Sequence, residues 1–456
     1  MKEQTSNDRI GLRDKMGMLI GAESGIGTYI VLSMYLLYFY SNVIGLNIGI
    51  VGTIIFVSKI LDGVSDIVAG FIVDRTKTRF GAARAWVLWN TVPMALTFIL
   101  LFMVPTDPGF LQYVYVFFSY NLFTTICFTM QGASGNSLPT YITRDQNSIS
   151  TLIMFQYIGV AVTGFIVSSF AMNWISMLGG DRNAWLMLSG ILAVIGMVSQ
   201  LCMFLFTRER VNLHKMTGGQ NVSIWDAVRS IFKNKYWVYT TLIGCITSCV
   251  QVAMGIVNAY YAQYILNDVT LVGPITAAFM LPPIFTFMVI GPLLKRISRR
   301  SLVRFMAVVG LVGQAVIVFA PTTLPVIMAG MILKGMAYAS ISMTCAAMMS
   351  ASIEYGHWKT GVRSQAVLMS AKSMGEKIAT GVVSAVIGWI LAFAGFNGMV
   401  ETQSASAIGA INGMFVWMPF LFYGIVFILI HFYHLDKEYP VIMTELEQRM
   451  SNTVEE

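Results

Sequence analysis

Twelve runs of mainly apolar residues, separated by shorter polar loops, govern what this chain can fold into. A helix rises 1.5 Å per residue, so about 20 such residues cross a hydrocarbon layer about 30 Å thick. The runs fall at approximately 17–41, 47–73, 86–104, 110–136, 150–172, 185–206, 237–265, 271–294, 303–320, 324–350, 366–396 and 405–433. In lipid every backbone N–H and C=O needs a partner within the segment, which an apolar run achieves as a helix. The sequence therefore predicts an all-α polytopic membrane protein with twelve transmembrane helices. Gly and Pro inside several runs, as at Pro282-Pro283, mark kinks that membrane helices tolerate.

Composition closes off the other classes. Of 456 residues, 56% are apolar and 11% charged, where soluble domains carry about 25% charged residues to wet their surface. The 12% aromatic content excludes disorder, and five cysteines in such a length exclude a disulfide scaffold. Those cysteines (Cys127, Cys202, Cys245, Cys249 and Cys345) all stand in apolar stretches. Cys245 and Cys249 are one helical turn apart, but no neighbouring His or carboxylate completes a metal site, so they read as small apolar side chains. No nucleophile elbow, phosphate loop, zinc motif or dinucleotide fingerprint occurs. An enzyme is not expected, nor a cofactor. The first 15 residues are polar and mixed in charge, which reads as no cleaved signal peptide.

Basic residues give an orientation. The N-terminal tail, the loops after even-numbered runs and the C-terminal tail hold 24 of the 29 Lys and Arg, and the opposite loops hold one, Arg182. The excess predicts that both termini are cytoplasmic. Positive charge here reports topology, so nucleic acid is not an expected partner; membrane lipid is.

The longest polar stretch, 207–235, divides the chain into six plus six spans. The predicted domains are an N-terminal six-helix bundle over 1–207, a central cytoplasmic loop over 208–235, a C-terminal six-helix bundle over 236–435 and a cytoplasmic tail over 436–456. Ser223-Ile-Trp-Asp226 has the spacing of a capping box, opening a short amphipathic helix that ends near Lys233-Asn-Lys235. Two six-helix bundles joined in this way are the layout of a major-facilitator transporter, whose halves move around a midplane site.

Ionisable residues inside spans are costly, about 2.5–3.5 kcal/mol each on insertion scales, and usually face the protein interior and do work. Lys59, Asp62 and Asp66 in span 2 are spaced by three and four, on one helical face. Two carboxylates one turn apart repel, which calls for a bound cation or a shared proton. The alternative is a structural pair of Lys59 with Asp62, which neutralises only one of the two. In span 11, Lys372 and Glu376 can pair at i, i+4, while Lys377 projects about 100° away and is a candidate to reach the span 2 carboxylates. Glu23 in span 1 reads either as an interfacial residue or as a site residue. Lys334 in span 10 has no evident sequence partner.

With these charges in place, the chain resembles the glycoside–pentoside–hexuronide:cation symporters, the melibiose carriers and their relatives. The likeness is carried by Tyr35-Leu-Leu-Tyr-Phe-Tyr-Ser-Asn-Val43, by Lys59-Ile-Leu-Asp-Gly-Val-Ser-Asp66 followed by Asp74-Arg-Thr-Lys-Thr-Arg-Phe-Gly81, and by Ser137-Leu-Pro-Thr-Tyr-Ile-Thr143. It continues at Glu354-Tyr-Gly-His-Trp-Lys-Thr-Gly-Val-Arg363, leading into Lys377 and Gly388-Trp-Ile-Leu391. The resemblance implies that Asp62 and Asp66 ligate the cation, as a metal site if the ion is Na+, and that Lys377 lies near sugar and cation. The hydroxyl that helps ligate the cation in the family becomes Phe128, with Thr129 beside it. The sugar side departs further. The span 1 acid falls at Ile26, with Glu23 one turn away; the span 4 acid becomes Gln131; the span 5 arginine becomes Gln156; two sugar-stacking tryptophans become Gly135 and Ser342. Ser373 completes the substrate set, and Lys59 and Lys377 are the coupling residues.

The expected function is cation-coupled symport, by Na+ or H+, of a sugar or glycoside through alternating access, by a chain acting as a monomer. Cation and substrate favour the same state, so each raises the other's affinity. The alternative is a proton-coupled exporter of a drug-like or other small metabolite; the lost aromatics and the 31 Met favour it, since Met suits adaptable apolar surfaces. The Gln131 and Gln156 amides, which donate and accept, point to an uncharged, hydroxyl-rich ligand, and the lost indoles to a bulkier one.

Overall fold

The computed structural model describes residues 10–107, 109–143, 145–211, 234–294, 296–360, 365–400 and 402–455. Among the described residues eleven helices are long and apolar enough to cross a membrane, and a bent pair, counted as one span, makes a twelfth. Spans 1 to 6 are Leu12–Val43, Ile48–Val73, the pair Ala83–Trp89 and Thr91–Leu100, Phe110–Ile142, Ser148–Met177 and Arg182–Phe206. Spans 7 to 12 are Lys235–Tyr264, Val269–Thr286, Arg299–Phe319, Leu324–Lys359, Leu368–Phe393 and Ala405–Tyr439. The all-α expectation holds.

Local chemistry sets the breaks. Span 3 bends by 45° at Asn90, because Pro93 has no N–H to return to Trp89 and its ring crowds that carbonyl. The freed turn is steadied by Asn90, whose Nδ2 donates to the Cys127 carbonyl at 2.8 Å. Side-chain oxygens open several spans by accepting from first-turn N–H groups: Asn47 for span 2, Asp181 for span 6 and Ser298 for span 9. Asp145 does the same for the helix that carries span 5.

Packing groups the described residues into two compact units. The first takes residues within 1–219, 259–273 and 384–410; the second takes those within 220–258, 274–383 and 411–456. The C-terminal ends of spans 7 and 11 thus belong to the first unit. There Asn42 Nδ2 donates to Tyr264 Oη at 2.6 Å, and Ser41 Oγ lies 2.9 Å from Tyr260 Oη. Trp389 Nε1 donates to Thr53 Oγ1 at 2.9 Å, and Gly388 lets span 11 approach so closely that a Cβ there would sit 2.6 Å from the Ile48 carbonyl. Six plus six stays a division of the chain; these units follow contact.

Two further segments bear on the sequence reading. The capping box and amphipathic helix expected from Ser223 onward lie outside the described residues. The tail expected over 436–456 is a helix, Leu435–Glu455, in the second unit. Asp436 accepts from the Arg300 N–H at 2.9 Å, Tyr236 Oη donates to Glu438 at 2.8 Å, and Trp358 Nε1 donates to Glu445 at 2.7 Å.

Candidate cation and substrate site

Span 2 buries Asp62, 1% exposed, against span 4. Its Oδ1 accepts from Thr129 Oγ1 at 3.0 Å, and its Oδ2 lies 3.5 Å from Lys59 Nζ. Ser65, between the two carboxylates in sequence, donates from Oγ to the Asp62 carbonyl at 2.9 Å and sits 3.2 Å from Thr129 Oγ1. Asp66 is one turn further along the same helix and half-buried.

Thr129 reaches Asp62 because span 4 is underwound into π turns over Leu122–Phe128 just before it. That extra residue per turn lets Thr129 Oγ1 also meet the Thr124 carbonyl, five residues back, at 3.1 Å. Such π segments re-aim a side chain that a regular helix would turn elsewhere. The same segment presents Phe128, whose ring stacks on Tyr29 of span 1 at 4.7 Å between centroids. Lys59 Nζ lies 5.3 Å from the Tyr29 ring, so an aromatic face flanks the lysine beside Asp62.

The structural pair weighed from sequence therefore forms, at a loose 3.5 Å. It does not exhaust the site. With both carboxylates ionised, Lys59, Asp62 and Asp66 sum to one negative charge, which one monovalent cation or proton neutralises. The Asp62 carboxylate and the Ser65 and Thr129 hydroxyls are hard oxygen donors, the set a small metal cation takes. Among the described residues no cluster of three or more His, Cys, Asp or Glu offers any other metal site.

The predicted substrate residues are placed as follows. Gln131 is buried one half-turn past Thr129, and its Oε1 accepts from Gln200 Nε2 of span 6. Gly25 of span 1 packs on Gln131 and Phe128, with Ile26 beside it partly buried. Gly135 is buried, with Met203 Cε 3.8 Å from where a Cβ would stand, so methionine has taken up some of the space. Gln156 is half-buried and donates to Asn136 Oδ1 at 3.4 Å. Glu23 opens the second helix of span 1; its side chain is outside the described residues. Of these residues Thr129 reaches Asp62, while Gln131 turns to Gln200 and lies beside Gly25 of span 1.

Ser342, Ser373, Lys377 and Lys334 belong to the second unit. Ser342 is half-buried and Ser373 exposed. Lys372 Nζ and Glu376 Oε1 form the expected i, i+4 pair at 2.5 Å, and Lys377 stands half-buried one residue on. Lys334, for which the sequence offered no partner, is wholly buried and donates to Gln314 Oε1 at 2.8 Å and to Met254 Sδ at 3.3 Å.

Ser65, Tyr29 and Gln200 were missed from sequence. Ser65 was legible, being flanked by two intramembrane carboxylates. Gln200 carried a weaker signal, an amide alone in an apolar run, which must find a partner.

The chain is similar to known transporters in both sequence and fold. A family model described as MFS/sugar transport protein matches residues 19–437. An isoprimeverose transporter of Lactiplantibacillus pentosus is 28% identical over 92% of this chain and 88% of its own. A putative glycoside/cation symporter of Escherichia coli K12 is 26% identical, covering 96% and 95%. Among solved structures, an inward-facing bacterial homologue of the human lysosomal transporter Spinster superposes with a TM-score of 0.70 at 14% identity, over 95% of this chain and 99% of that one. The chain belongs to the MFS/sugar transport protein family, within the glycoside–pentoside–hexuronide:cation symporters that its motifs resemble. It is a multi-pass membrane protein with the major-facilitator fold.

Proposed function

We propose that this chain is a secondary active symporter that carries a neutral sugar or glycoside with one cation, Na+ or H+, across the bacterial inner membrane, both termini in the cytoplasm. The observation that carries this reading is the buried Asp62 carboxylate with the Ser65 and Thr129 hydroxyls beside it and Asp66 one turn on. Relatives are named for isoprimeverose, for glycosides with cations and for lactose, which supports a sugar as the cargo.

The cation binds at Asp62, Asp66, Ser65 and Thr129, with Lys59 offsetting one carboxylate. Ile26, Glu23, Gly135, Gln131 and Gln156 are the substrate residues of this reading in the first unit, and Ser342, Ser373 and Lys377 are the candidates in the second. A bound cation neutralises the −1 charge of span 2, and only the fully loaded and the empty carrier change sides. Coupling is reciprocal, because both ligands stabilise one state.

Binding tests this first. A ligand that binds only the folded state raises the melting temperature. Isoprimeverose and lactose should raise it for the purified chain, and raise it more when the coupling cation is present. The same measurement reads the pocket: Gln131→Ala and Gln156→Ala should each weaken sugar binding by about 1–3 kcal/mol, through sugar hydroxyls left unpaired. A uronic acid that binds tightly, with no loss in Lys377→Ala, would overturn the neutral-substrate reading.

A further inference from the structure

Lys334 is 0% exposed, ten residues into span 10, about 15 Å along the helix from its start. Span 9 gives it Gln314 Oε1 at 2.8 Å, span 7 gives Met254 Sδ at 3.3 Å, and span 12 lays the Phe415 ring 5.6 Å from Nζ. The Gln314 amide is fixed in this sense by its own Nε2, which donates to the Phe415 carbonyl at 3.1 Å.

The titratable neighbours are two tyrosines. Tyr423 of span 12 donates to the Lys334 carbonyl at 3.0 Å, and Tyr338, one turn along span 10, donates to Gln251 of span 7 at 2.8 Å. Span 8 meets this stretch of span 10 through the backbone of Phe279 at Gly335. Arg299, Arg300 and Arg304 of span 9 lie at that helix's far end from Gln314. Among the described residues no carboxylate lies within ion-pair distance of Lys334.

An ammonium has three N–H donors and a neutral amine two. Two heteroatom acceptors face Nζ, which fits the amine, and a full charge at this depth has only an amide, a thioether and a ring to meet it. We propose that Lys334 is a proton-binding site of the second unit, separate from the span 2 carboxylates, whose amine takes up a proton in one conformation of the transport cycle and releases it to water in another. This rests on the transport reading but not on the identity of the sugar. A bland alternative is available: the lysine simply staples spans 7, 9 and 12 to span 10.

Gln314→Glu separates the two. It places a carboxylate at the position of Oε1, which holds the lysine charged but strengthens a staple. In proteoliposomes, with isoprimeverose and lactose as probes, wild-type uptake should show a pH limb approaching about tenfold per unit, the limit for one titrating group. Lys334→Met and Gln314→Glu should each flatten that limb to about twofold or less over the same range. A Gln314→Glu profile superposable on wild type overturns the proposal, even if Lys334→Met fails to fold. If the wild type carries neither probe, the sugar reading fails by itself. Potentiometric titration of the purified chain then still judges Lys334: one proton fewer bound per Lys334→Met chain across the folded pH range supports it, and identical curves overturn it.

Discussion

Asp66→Asn should abolish cation-driven accumulation while the protein stays folded and inserted. Asp66 is half-buried, and in the proposed mechanism it supplies the charge that one cation neutralises, so removing it should uncouple transport without opening a cavity. Asp62→Asn should give the same functional loss with a stability cost that Asp66→Asn lacks. It strands Lys59, itself 5% exposed, beside a neutral amide. Breaking a buried pair from one side costs about 3–5 kcal/mol. Adding Lys59→Met to Asp62→Asn should recover most of that stability and none of the accumulation. Normal cation-dependent accumulation by Asp66→Asn would show the cation site to be misassigned.

The second large effect is at Lys377. Lys377→Ala should lower sugar uptake by roughly tenfold to a hundredfold, the loss of a hydrogen bond from a charged group, about 1.5–3 kcal/mol. Lys372→Ala should stay within about threefold, because its partner Glu376 lies on the same helix and such i, i+4 pairs contribute about 0.3–0.5 kcal/mol. Uptake assays on the two variants side by side decide it. Equal damage at both positions would make span 11 a carrier of structural charge only.

What could be read from the chain alone follows a simple physical division. Spans, the Lys59–Asp62–Asp66 face and the Lys372–Glu376 pair are properties of one helix, set by its periodicity, and they were legible. Pro93 marks the break in span 3 as well, since a proline inside a helix frees the carbonyl four residues back. Contacts between helices were not legible. Nothing in the sequence aims Thr129 at Asp62; that depends on the π turns of Leu122–Phe128. Nor does it put Tyr29 and Phe128, from separate spans, beside Lys59. Lys334 looked solitary because Gln314, Met254 and Phe415 come from three other spans.

In the proposed mechanism inward cation movement drives sugar inward through the span 2 carboxylates. Its most direct test is uptake of labelled isoprimeverose or lactose into proteoliposomes, with a Na+ or H+ gradient imposed in either direction. An inward gradient of one of these ions should concentrate the sugar above its external level, and the Asp66→Asn vesicles should only equilibrate it. Expulsion of preloaded sugar by that same inward gradient would make the protein an exporter, and accumulation indifferent to both ions would contradict the coupling site itself.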